Sequence, residues 1–210
     1  MKITIFGATG GTGRSLVEQA LERGHEVSAV ARDPSSFPYS HDRLTVLRGN
    51  ALDADSVEGA VEGRDAVLSA LGTGFHLRRT TLYSRGTETV VRAMEKQGVG
   101  RLVVVSTAGL NGKDPSFPFW YRLLLKPLLL DRVKYGDMAL MEDETRGSSL
   151  DWTVVRAGGL TDGPPTGEYR VGSGRLPEGG AEISRSDLAR FMLDLLDDLD
   201  YVGRTVTLAY

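Results

Sequence analysis

Cysteine is absent from the 210 residues of this chain. That absence excludes disulfide bonds, zinc sites with thiolate ligands and cysteine nucleophiles, and it agrees with a reducing, cytoplasmic location, which we expect. Histidine is scarce, and His25, His41 and His76 are too scattered to predict a metal site. A serine hydrolase is also disfavoured, because the chain has no Gly-x-Ser-x-Gly motif and no histidine with an evident serine partner.

A strong excess of either charge is also lacking. The formal net charge is -3 at pH 7, with acidic and basic residues interspersed. Without a basic stripe, nucleic acid is not an expected partner. The start of the chain lacks the pattern of a secretory signal. The most membrane-like stretch, residues 117–130, contains Arg122, Lys126 and Pro127 and is too short to cross a bilayer, so no membrane span is expected.

Apolar runs and stretches with helical periodicity alternate along the chain, a pattern typical of parallel strands joined by crossover helices. Strands are predicted at Lys2–Phe6, Glu26–Ala31, Leu44–Arg48, 66–70, 102–106, 152–156 and 205–208. Helices are predicted at Gly11–Glu22, 56–61, 81–97 and 188–196, the last preceded by a capping-box variant at Ser184 and Asp187. We expect one α/β domain over residues 1–210, a doubly wound parallel sheet with a small substrate-side region formed by the C-terminal loops.

The first strand runs directly into a glycine-rich turn that opens a helix, with the spacing Gly-x-x-Gly-x-x-Gly at Gly7, Gly10 and Gly13. In such a Rossmann-type turn, the first glycine permits the turn, the second lets the backbone meet a pyrophosphate, and the third lets the helix lie close to the strand. The alternative is a surface glycine loop. The dinucleotide interpretation predicts cofactor contacts from Gly7, Thr9, Gly10, Gly11, Thr12 and Gly13.

Arg32 follows the second strand, where this fold brings the chain against the adenosine ribose. A guanidinium offers a 2′-phosphate a charged fork, whereas a carboxylate would repel it, so Arg32 favours NADP(H) over NAD(H). Arg14 is a candidate second cation. Asp33 either turns toward the ribose or ends the strand in an Asp-Pro turn. The alternative for Arg32 is a solvated loop arginine.

Open parallel sheets bind ligands beyond the carboxyl ends of their strands. Further candidates for cofactor contact are therefore Asn50 and Ala51 after the third strand and Leu71, Gly72 and Thr73 after the fourth. The loops that follow the fifth and sixth strands, which begin at Ser106 and Ala157, are expected to surround the nicotinamide.

The acid that usually assists ketone reduction is not found in the sequence. A Tyr-x-x-x-Lys pair fails at every tested tyrosine, because Tyr83, Tyr121 and Tyr135 are followed at that offset by Thr87, Leu125 and Ala139. An acceptor with extended conjugation, such as a flavin, quinone or bilin, can take its proton from water. Ser106 and Thr107 are the candidate catalytic residues, and the alternative is that they only tie down the following loop. Glu142 and His76 are weaker candidates.

Residues 114–136 have the most unusual composition, with Phe117, Phe119 and Trp120 leading into leucine runs. This segment is interpreted as a lid over the nicotinamide, as a subunit contact in a homodimer, or as an ordinary core helix broken by Pro127. A lid would suit bulky aromatic substrates. The sequence leaves monomer and homodimer open.

Several of these motifs together are similar to those of the atypical short-chain dehydrogenases/reductases, in the NmrA-like, NAD(P)H-binding group that includes biliverdin-IXβ reductase, also called flavin reductase. The resemblance covers nearly the full chain and rests on residues 7–13, 29–33, 71–73, 103–107, 150–156 and 183–193. It implies that NADPH lies along the glycine turn, that Arg32 meets the 2′-phosphate, and that Thr107 matches a serine near the nicotinamide. An active-site histidine of the reductase branch falls at Gly159, a second phosphate-binding arginine falls near Ser36, and residues 123–130 form a longer segment, which disfavours bilin reduction itself.

Residues and resemblance together predict an NADPH-dependent oxidoreductase that transfers a hydride to a small conjugated acceptor. The alternative is a redox sensor of the NmrA type, which binds NAD(P)H without turnover and presents a partner-binding surface. A sugar-nucleotide epimerase or dehydratase is disfavoured, because such relatives usually need the missing tyrosine and a larger substrate domain.

Overall fold

An eight-stranded sheet forms the centre of the molecule. The computed structural model describes residues 1–38, 40–74, 79–111, 130 and 134–210. The strands are β1 (Lys2–Phe6), β2 (Glu26–Ala31), β3 (Leu44–Arg48), β4 (Ala66–Ser69), β5 (Arg101–Thr107), β6 (Asp151–Ala157), β7 (Gly159–Thr161), β8 (Arg170–Ser173), β9 (Glu182–Ser184) and β10 (Arg204–Ala209). The helices are α1 (Gly11–Glu22), α2 (Ala54–Val61), α3 (Leu82–Gln97), α4 (Gly136–Gly147) and α5 (Arg185–Asp194).

The strand order in the sheet is β3-β2-β1-β4-β5-β6-β10-β8. Every neighbouring pair is parallel except β10 and β8 at the edge, which are antiparallel. The order reverses direction at β1, since β2 lies on one side of it and β4 on the other. This is the topological switch point at which doubly wound sheets bind their ligands. The predicted Rossmann-type α/β fold is confirmed.

Helices cover both faces of the sheet because each has one apolar side. Leu16 and Val17 of α1 share a core with Leu188 and Met192 of α5 on one face. The other face is covered by α2, α3 and α4, which contribute among others Val57, Val90, Met94 and Met141. Strand residues that alternate along β5 supply the two cores in turn, with Val103 in the first and Leu102 and Val104 in the second.

Element ends differ from the sequence prediction where a side chain caps the helix. Helix α2 begins at Ala54 rather than at residue 56, because the Asp53 carboxylate accepts the N–H of Asp55 at 3.3 Å. Helix α5 covers Arg185–Asp194 rather than 188–196. The predicted cap residue Ser184 accepts the N–H of Asp187 through its Oγ at 2.9 Å, so the helix starts directly after it. The fourth strand ends at Ser69, one residue before the predicted end.

Three short strands were not predicted. Strands β7 and β9 pair in parallel as a separate two-stranded sheet, and β8 adds to the edge of the main sheet. In the part of the chain that the structure describes, no helix combines the length and the apolar character that a membrane crossing requires.

Candidate functional site

Two glycines determine the shape of the turn between β1 and α1. Gly7 has a φ of 74°, and a Cβ on it would lie 2.2 Å from the carbonyl oxygen of Ala70. A Cβ on Gly13 would lie 2.1 Å from the carbonyl oxygen of Gly7. Both distances are far inside van der Waals contact, so a larger residue at Gly7 would overlap the backbone after β4, and one at Gly13 would push α1 away from the turn. Gly7 therefore forms the turn, and Gly13 lets the helix lie against it.

Gly10 leaves open space at the start of α1. A Cβ there would meet only the carbonyl oxygen of Gly7, at 3.4 Å. Gly10 is the N-cap of α1 and has no side chain to cap it, the described residues provide no other capping side chain, and the first turn contains no acidic residue. The backbone N–H groups of a helix start, together with the positive end of the helix dipole, form a ready site for an anion. The turn thus fits a pyrophosphate.

A cavity of about 420 Å³ opens beside this turn at the carboxyl ends of the first strands. Among the predicted cofactor residues, its walls include Gly7, Thr9, Arg32, Asn50, Ala51, Leu71, Gly72 and Thr73. Gly10, Gly11, Thr12 and Gly13 do not line it; they lie next to it as the N-cap and first three residues of α1. The structure therefore brings the predicted residues into one continuous region, a cavity joined to a helix N-terminus, as the adenosine and pyrophosphate of a dinucleotide require.

Arg32 and Asp33 have different surroundings at the end of β2. The Arg32 side chain is exposed and lines the cavity. Asp33 does not line it; its carboxylate accepts the N–H of Ser35 at 3.1 Å and the Ser35 hydroxyl at 2.6 Å. These hydrogen bonds from Ser35 hold the pKa of Asp33 below its ordinary value. Asp33 thus serves as the cap of the short turn that follows, leaving Arg32 as the charged residue of the cavity wall there.

Apolar side chains form another part of the cavity wall, including Val30, Leu52 and Leu71. Asn50 lies beside them, with its side-chain oxygen accepting the N–H of Leu52 at 3.2 Å. A flat base such as adenine suits an apolar slot with one amide group at its edge. Gly86 in α3 was not singled out from the sequence; a Cβ on it would lie 3.0 Å from Leu71 and 3.4 Å from Ala51. Its lack of a side chain lets α3 approach both cavity loops; a glycine within a helical pattern was the available signal.

Tyr83, in the first turn of α3, ties the loop after β4 to that helix. The N–H of Thr73 donates to the Tyr83 hydroxyl at 3.3 Å. The N–H of Tyr83 in turn donates to Asp137 of α4 at 2.9 Å, and the hydroxyl of Ser84 also donates to Asp137. Asp137 thus caps α3 from another helix, which no local sequence pattern predicts. The cavity loop at Thr73 is anchored through this chain of contacts.

Ser106, one of the two predicted catalytic residues, is buried, and its hydroxyl donates to Glu142 Oε1 at 2.6 Å. The same carboxylate accepts Arg156 Nε at 2.8 Å and Arg156 Nη2 at 2.6 Å, and it also contacts Arg146. Burial raises the pKa of Glu142, but the hydrogen bonds from Arg156 and Ser106 and the charges of both arginines outweigh it, so the pKa is lowered overall. Ser106 therefore belongs to a buried ionic network that joins β5, β6 and α4.

Thr107, the other predicted catalytic residue, ends β5 on the opposite side of the strand from Ser106. Its side-chain oxygen accepts the N–H of Gly109 at 3.2 Å, which caps the short helical turn that follows. Because a hydroxyl both accepts and donates, this contact leaves the Thr107 proton available for a second partner. Thr107 is partly exposed, whereas Ser106 is only 2% exposed.

Strands β7 and β9 lie beyond the carboxyl end of β6, where the sequence placed loops around the nicotinamide. Gly159 begins β7, and Leu160 beside it is 39% exposed. The hypotheses for His76 and for most of residues 114–136, including the lid and the subunit contact, lie outside the described residues.

Asp187 holds the loop after β7 in place. It is fully buried, and its carboxylate accepts the N–H groups of Thr166 and Gly167 at 2.9 and 2.8 Å and the hydroxyl of Tyr210 at 2.7 Å. Burial raises the pKa of Asp187, but the donors from Gly167, Tyr210 and Thr166 outweigh it and lower the pKa to about 2. The sequence marked Asp187 only as part of a helix cap; its binding of the loop after β7 was not visible.

Comparison with protein families gives a match over most of the chain. A family model described as NAD(P)H-binding matches residues 7–199. The matched region begins at the first glycine of the turn and ends after α5, so it includes every residue of the cavity wall except Phe6.

Three related proteins differ in how much of their length this chain covers. An uncharacterised chloroplast protein of Arabidopsis thaliana is 31% identical over 79% of this chain, which spans only 61% of that relative. A reductase of Aspergillus terreus is 27% identical, with 99% of this chain and 97% of the relative aligned. A UPF0659 protein of Saccharomyces cerevisiae is 30% identical over 99% of this chain and 92% of its own length.

Solved structures share the whole fold. A protein of Bacillus halodurans, described as an NAD-dependent epimerase/dehydratase, is 27% identical with a TM-score of 0.79, over 100% of this chain and 94% of its own. A short-chain dehydrogenase/reductase of Veillonella parvula in complex with NADP has a TM-score of 0.83 at 21% identity, over 100% of this chain and 94% of its own. A protein of Streptococcus pneumoniae, described as an NADH-flavin reductase, has a TM-score of 0.77 at 24% identity, over 100% of this chain and 99% of its own. At these last two identities the likeness shows the fold alone.

Proposed function

The chain belongs to the NAD(P)H-binding family, and we propose that within this family it is an NADPH-dependent reductase that transfers a hydride to a conjugated acceptor of the flavin, quinone or bilin-like class. The observation that carries the proposal is the cavity that joins the glycine turn to Arg32. The reductase of Aspergillus terreus, aligned over nearly its full length, supports the same reaction class.

Arg32 is proposed to select the cofactor. Its side chain is the charged group of the described cavity wall, and Asp33, which would repel a 2′-phosphate, is bound to Ser35 instead. A guanidinium gives a phosphate two parallel charged hydrogen bonds, so NADP(H) gains binding energy that NAD(H) does not. The amide of Asn50 and the apolar wall are proposed to hold the adenine, and the start of α1 the pyrophosphate.

Thr107 is proposed as the residue that contacts the nicotinamide or a water beside it. When bound, the cofactor supplies a hydride from its nicotinamide ring. Thr107 retains a hydroxyl proton that it can donate, whereas Ser106 donates its own to Glu142. Ser106 is therefore proposed as a positioning residue that fixes the end of β5. A conjugated acceptor spreads the charge that it receives, so water can protonate it and the protein need supply no strong acid.

The C-terminal loops are proposed to form the substrate side of this single domain. Strands β7 and β9 follow the carboxyl end of β6, and Asp187 fixes the loop that leaves β7 through Thr166 and Gly167. Gly159 stands where the flavin and biliverdin reductase branch has its active-site histidine, so this chain has no imidazole there to protonate a substrate. That difference favours acceptors such as flavins and quinones, which need no such acid.

Steady-state kinetics test the proposal. Oxidation of NADPH and of NADH is followed with FMN, a quinone and biliverdin as acceptors. We expect turnover above the protein-free rate with at least one acceptor and a preference for NADPH. Arg32→Ala should weaken NADPH binding by about 1 to 3 kcal/mol, the value of a lost charged hydrogen bond, and should spare NADH.

Arg92→Ala is the matched control, because Arg92 is an exposed arginine of α3 that pairs with Glu88 and does not line the cavity. Arg92→Ala should leave the affinities for NADPH and NADH unchanged. Equal losses of affinity for NADPH and NADH in Arg32→Ala would show that Arg32 does not bind the 2′-phosphate. Tight NADPH binding without turnover of any acceptor would reject the reductase in favour of a redox sensor.

A further inference from the structure

Arg185, the first residue of α5, lies directly over the start of α1. A Cβ on Gly11 would be 2.5 Å from Arg185 Cδ and 2.8 Å from Arg185 Nε. Any side chain at position 11 would therefore displace the arginine. Gly11 does not line the cavity, so its lack of a side chain is needed for the passage of Arg185 rather than for the cavity itself.

The positive charge of Arg185 is only weakly neutralised at the start of α1. The start of α1 carries the positive end of a helix dipole, and within the described part of the chain neither an acidic residue in its first turn nor a capping side chain offsets it. A guanidinium against that end adds like charge. Its ion-pair partner is Asp162, at 2.6 Å, and the Asp162 side chain is 92% exposed. An ion pair with so exposed a partner holds weakly.

The backbone at Arg185 is firmly held, in contrast to its side chain. The preceding residue, Ser184, caps α5 and bonds to Asp187, and Asp187 also binds the loop at Thr166 and Gly167. The side chain of Arg185 is 29% exposed. The backbone thus fixes the position from which the Arg185 side chain extends, and its guanidinium N–H donors are accessible to an incoming anion.

We propose that Arg185 is a pyrophosphate-binding residue of the cofactor site, and that the cofactor displaces Asp162 from it on binding. The inference rests on the proposed function, since it needs NADP(H) at the glycine turn. A pyrophosphate at the start of α1 would meet both the backbone N–H groups and the guanidinium, and it would neutralise the positive charge that Asp162 only partly offsets. Arg185 and Arg32 then recognise different phosphates of one cofactor.

Calorimetric titration with two ligands separates these roles. NADP⁺ contains both the pyrophosphate and the 2′-phosphate, whereas adenosine 2′-phosphate contains only the latter. Arg185→Met retains the apolar stem without the charge and should weaken NADP⁺ about 10-fold, the scale of a lost charged hydrogen bond, while leaving adenosine 2′-phosphate unchanged. Arg32→Ala should weaken both ligands. Gly11→Ala should act like Arg185→Met because it displaces the arginine.

Asp162→Asn tests the displacement with a change on the exposed surface, where folding is not at risk. It should tighten NADP⁺ by about two- to fivefold, since the cofactor no longer breaks an ion pair of at most about 1 kcal/mol. In the Arg185→Met background the same change should have no effect.

The outcomes are distinct. Unchanged NADP⁺ affinity in Arg185→Met would overturn the inference while leaving the cofactor site standing. Equal weakening of both ligands in that variant would also overturn it, because the loss would then not concern the pyrophosphate. Weaker NADP⁺ binding in Asp162→Asn would show that Asp162 positions the arginine rather than competes for it. If wild-type protein bound no NADP⁺, the proposed function itself would fail.

Discussion

At the scale of single residues, the site depends on positions that have no room for a Cβ atom, so that only glycine fits them. Gly7, Gly11 and Gly13 each stand where a Cβ would overlap another group, but the groups differ: the carbonyl of Ala70, the side chain of Arg185 and the carbonyl of Gly7. Three glycines of this glycine-rich turn therefore serve three separate purposes. Turn shape and helix packing at Gly7 and Gly13 follow from the motif, whereas the role of Gly11 depends on a residue far away in the sequence.

Gly13→Ala is expected to destabilise the protein by at least about 1 to 3 kcal/mol, because its Cβ would lie 2.1 Å from a backbone oxygen. The measurement is urea unfolding at neutral pH. Gly59→Ala in α2 is the matched control: a Cβ there would meet nothing within 4 Å, so alanine should stabilise the helix by about 0.5 to 1 kcal/mol. Equal effects of the two substitutions would contradict this account of the turn.

Asp187 provides a test of pH dependence. Its folded-state pKa, about 2, is below the ordinary 3.8 of an unfolded aspartate. The stabilisation that the ionised Asp187 carboxylate contributes is therefore present above the unfolded pKa of 3.8 and is lost as the pH falls through about 2. A shift of this size corresponds to about 2 kcal/mol. Asp187→Asn should cost at least that much at pH 7, and the difference from wild type should narrow near pH 2. A difference that does not change with pH would show that the charge of Asp187 does not matter.

At the scale of elements, one buried carboxylate joins three of them. Glu142 of α4 is 1% exposed and binds Ser106 of β5 and Arg156 of β6. These strands meet with Ser106 directly opposite Arg156 in the parallel register. The end of β5, which carries the candidate Thr107, is therefore held to its neighbour and to the helix above it.

Glu142→Gln is expected to cost about 3 kcal/mol of unfolding free energy, because it leaves the charge of Arg156, whose side chain is only 16% exposed, without its partner. Asp143→Asn is the control. Asp143 is the next residue of α4 and pairs with Arg146 at 3.2 Å, but its side chain is 73% exposed, so its loss should change stability by no more than about 0.5 kcal/mol. Chemical denaturation of both variants checks the expectation. Similar small effects would mean that the network does not stabilise the end of β5.

The sequence predicted the elements whose signals are local. The first three strands and α1 have the predicted bounds, because apolar runs, the glycine turn and helical periodicity all lie within them. Strands β7, β8 and β9 are short and partly or wholly exposed, and their pairing with distant segments left no periodic pattern to detect. Asp137, which caps α3 from α4, is invisible to local rules for the same reason.

The candidate site was predictable to a similar extent. Residues that follow strands, such as Arg32 and Asn50, reach the cavity because the carboxyl ends of parallel strands share one edge. The direction of Ser106 was not inferred, although alternation along β5 places it on the side of Leu102 and Val104, toward α4. The contact of Arg185 with Gly11 joins residues from opposite ends of the chain, and only the packing of α5 beside α1 shows it.

At the scale of the whole molecule, a protein of net charge -3 is proposed to bind a strongly anionic cofactor. The attraction is therefore local. Arg32 in the cavity, the uncapped start of α1 and Arg185 over Gly11 lie at the same carboxyl edge of the sheet. The doubly wound topology collects these positive groups at its switch point, although the chain as a whole carries a small net negative charge.

Calorimetric titration of the wild-type protein with NADPH and with NADH tests the central claim most directly. Binding of both nucleotides, with NADPH the tighter, is the predicted result, because the start of α1 holds the pyrophosphate of either and Arg32 adds a contact to the 2′-phosphate alone. Absence of binding heat and of any shift in melting temperature with either nucleotide would contradict the claim.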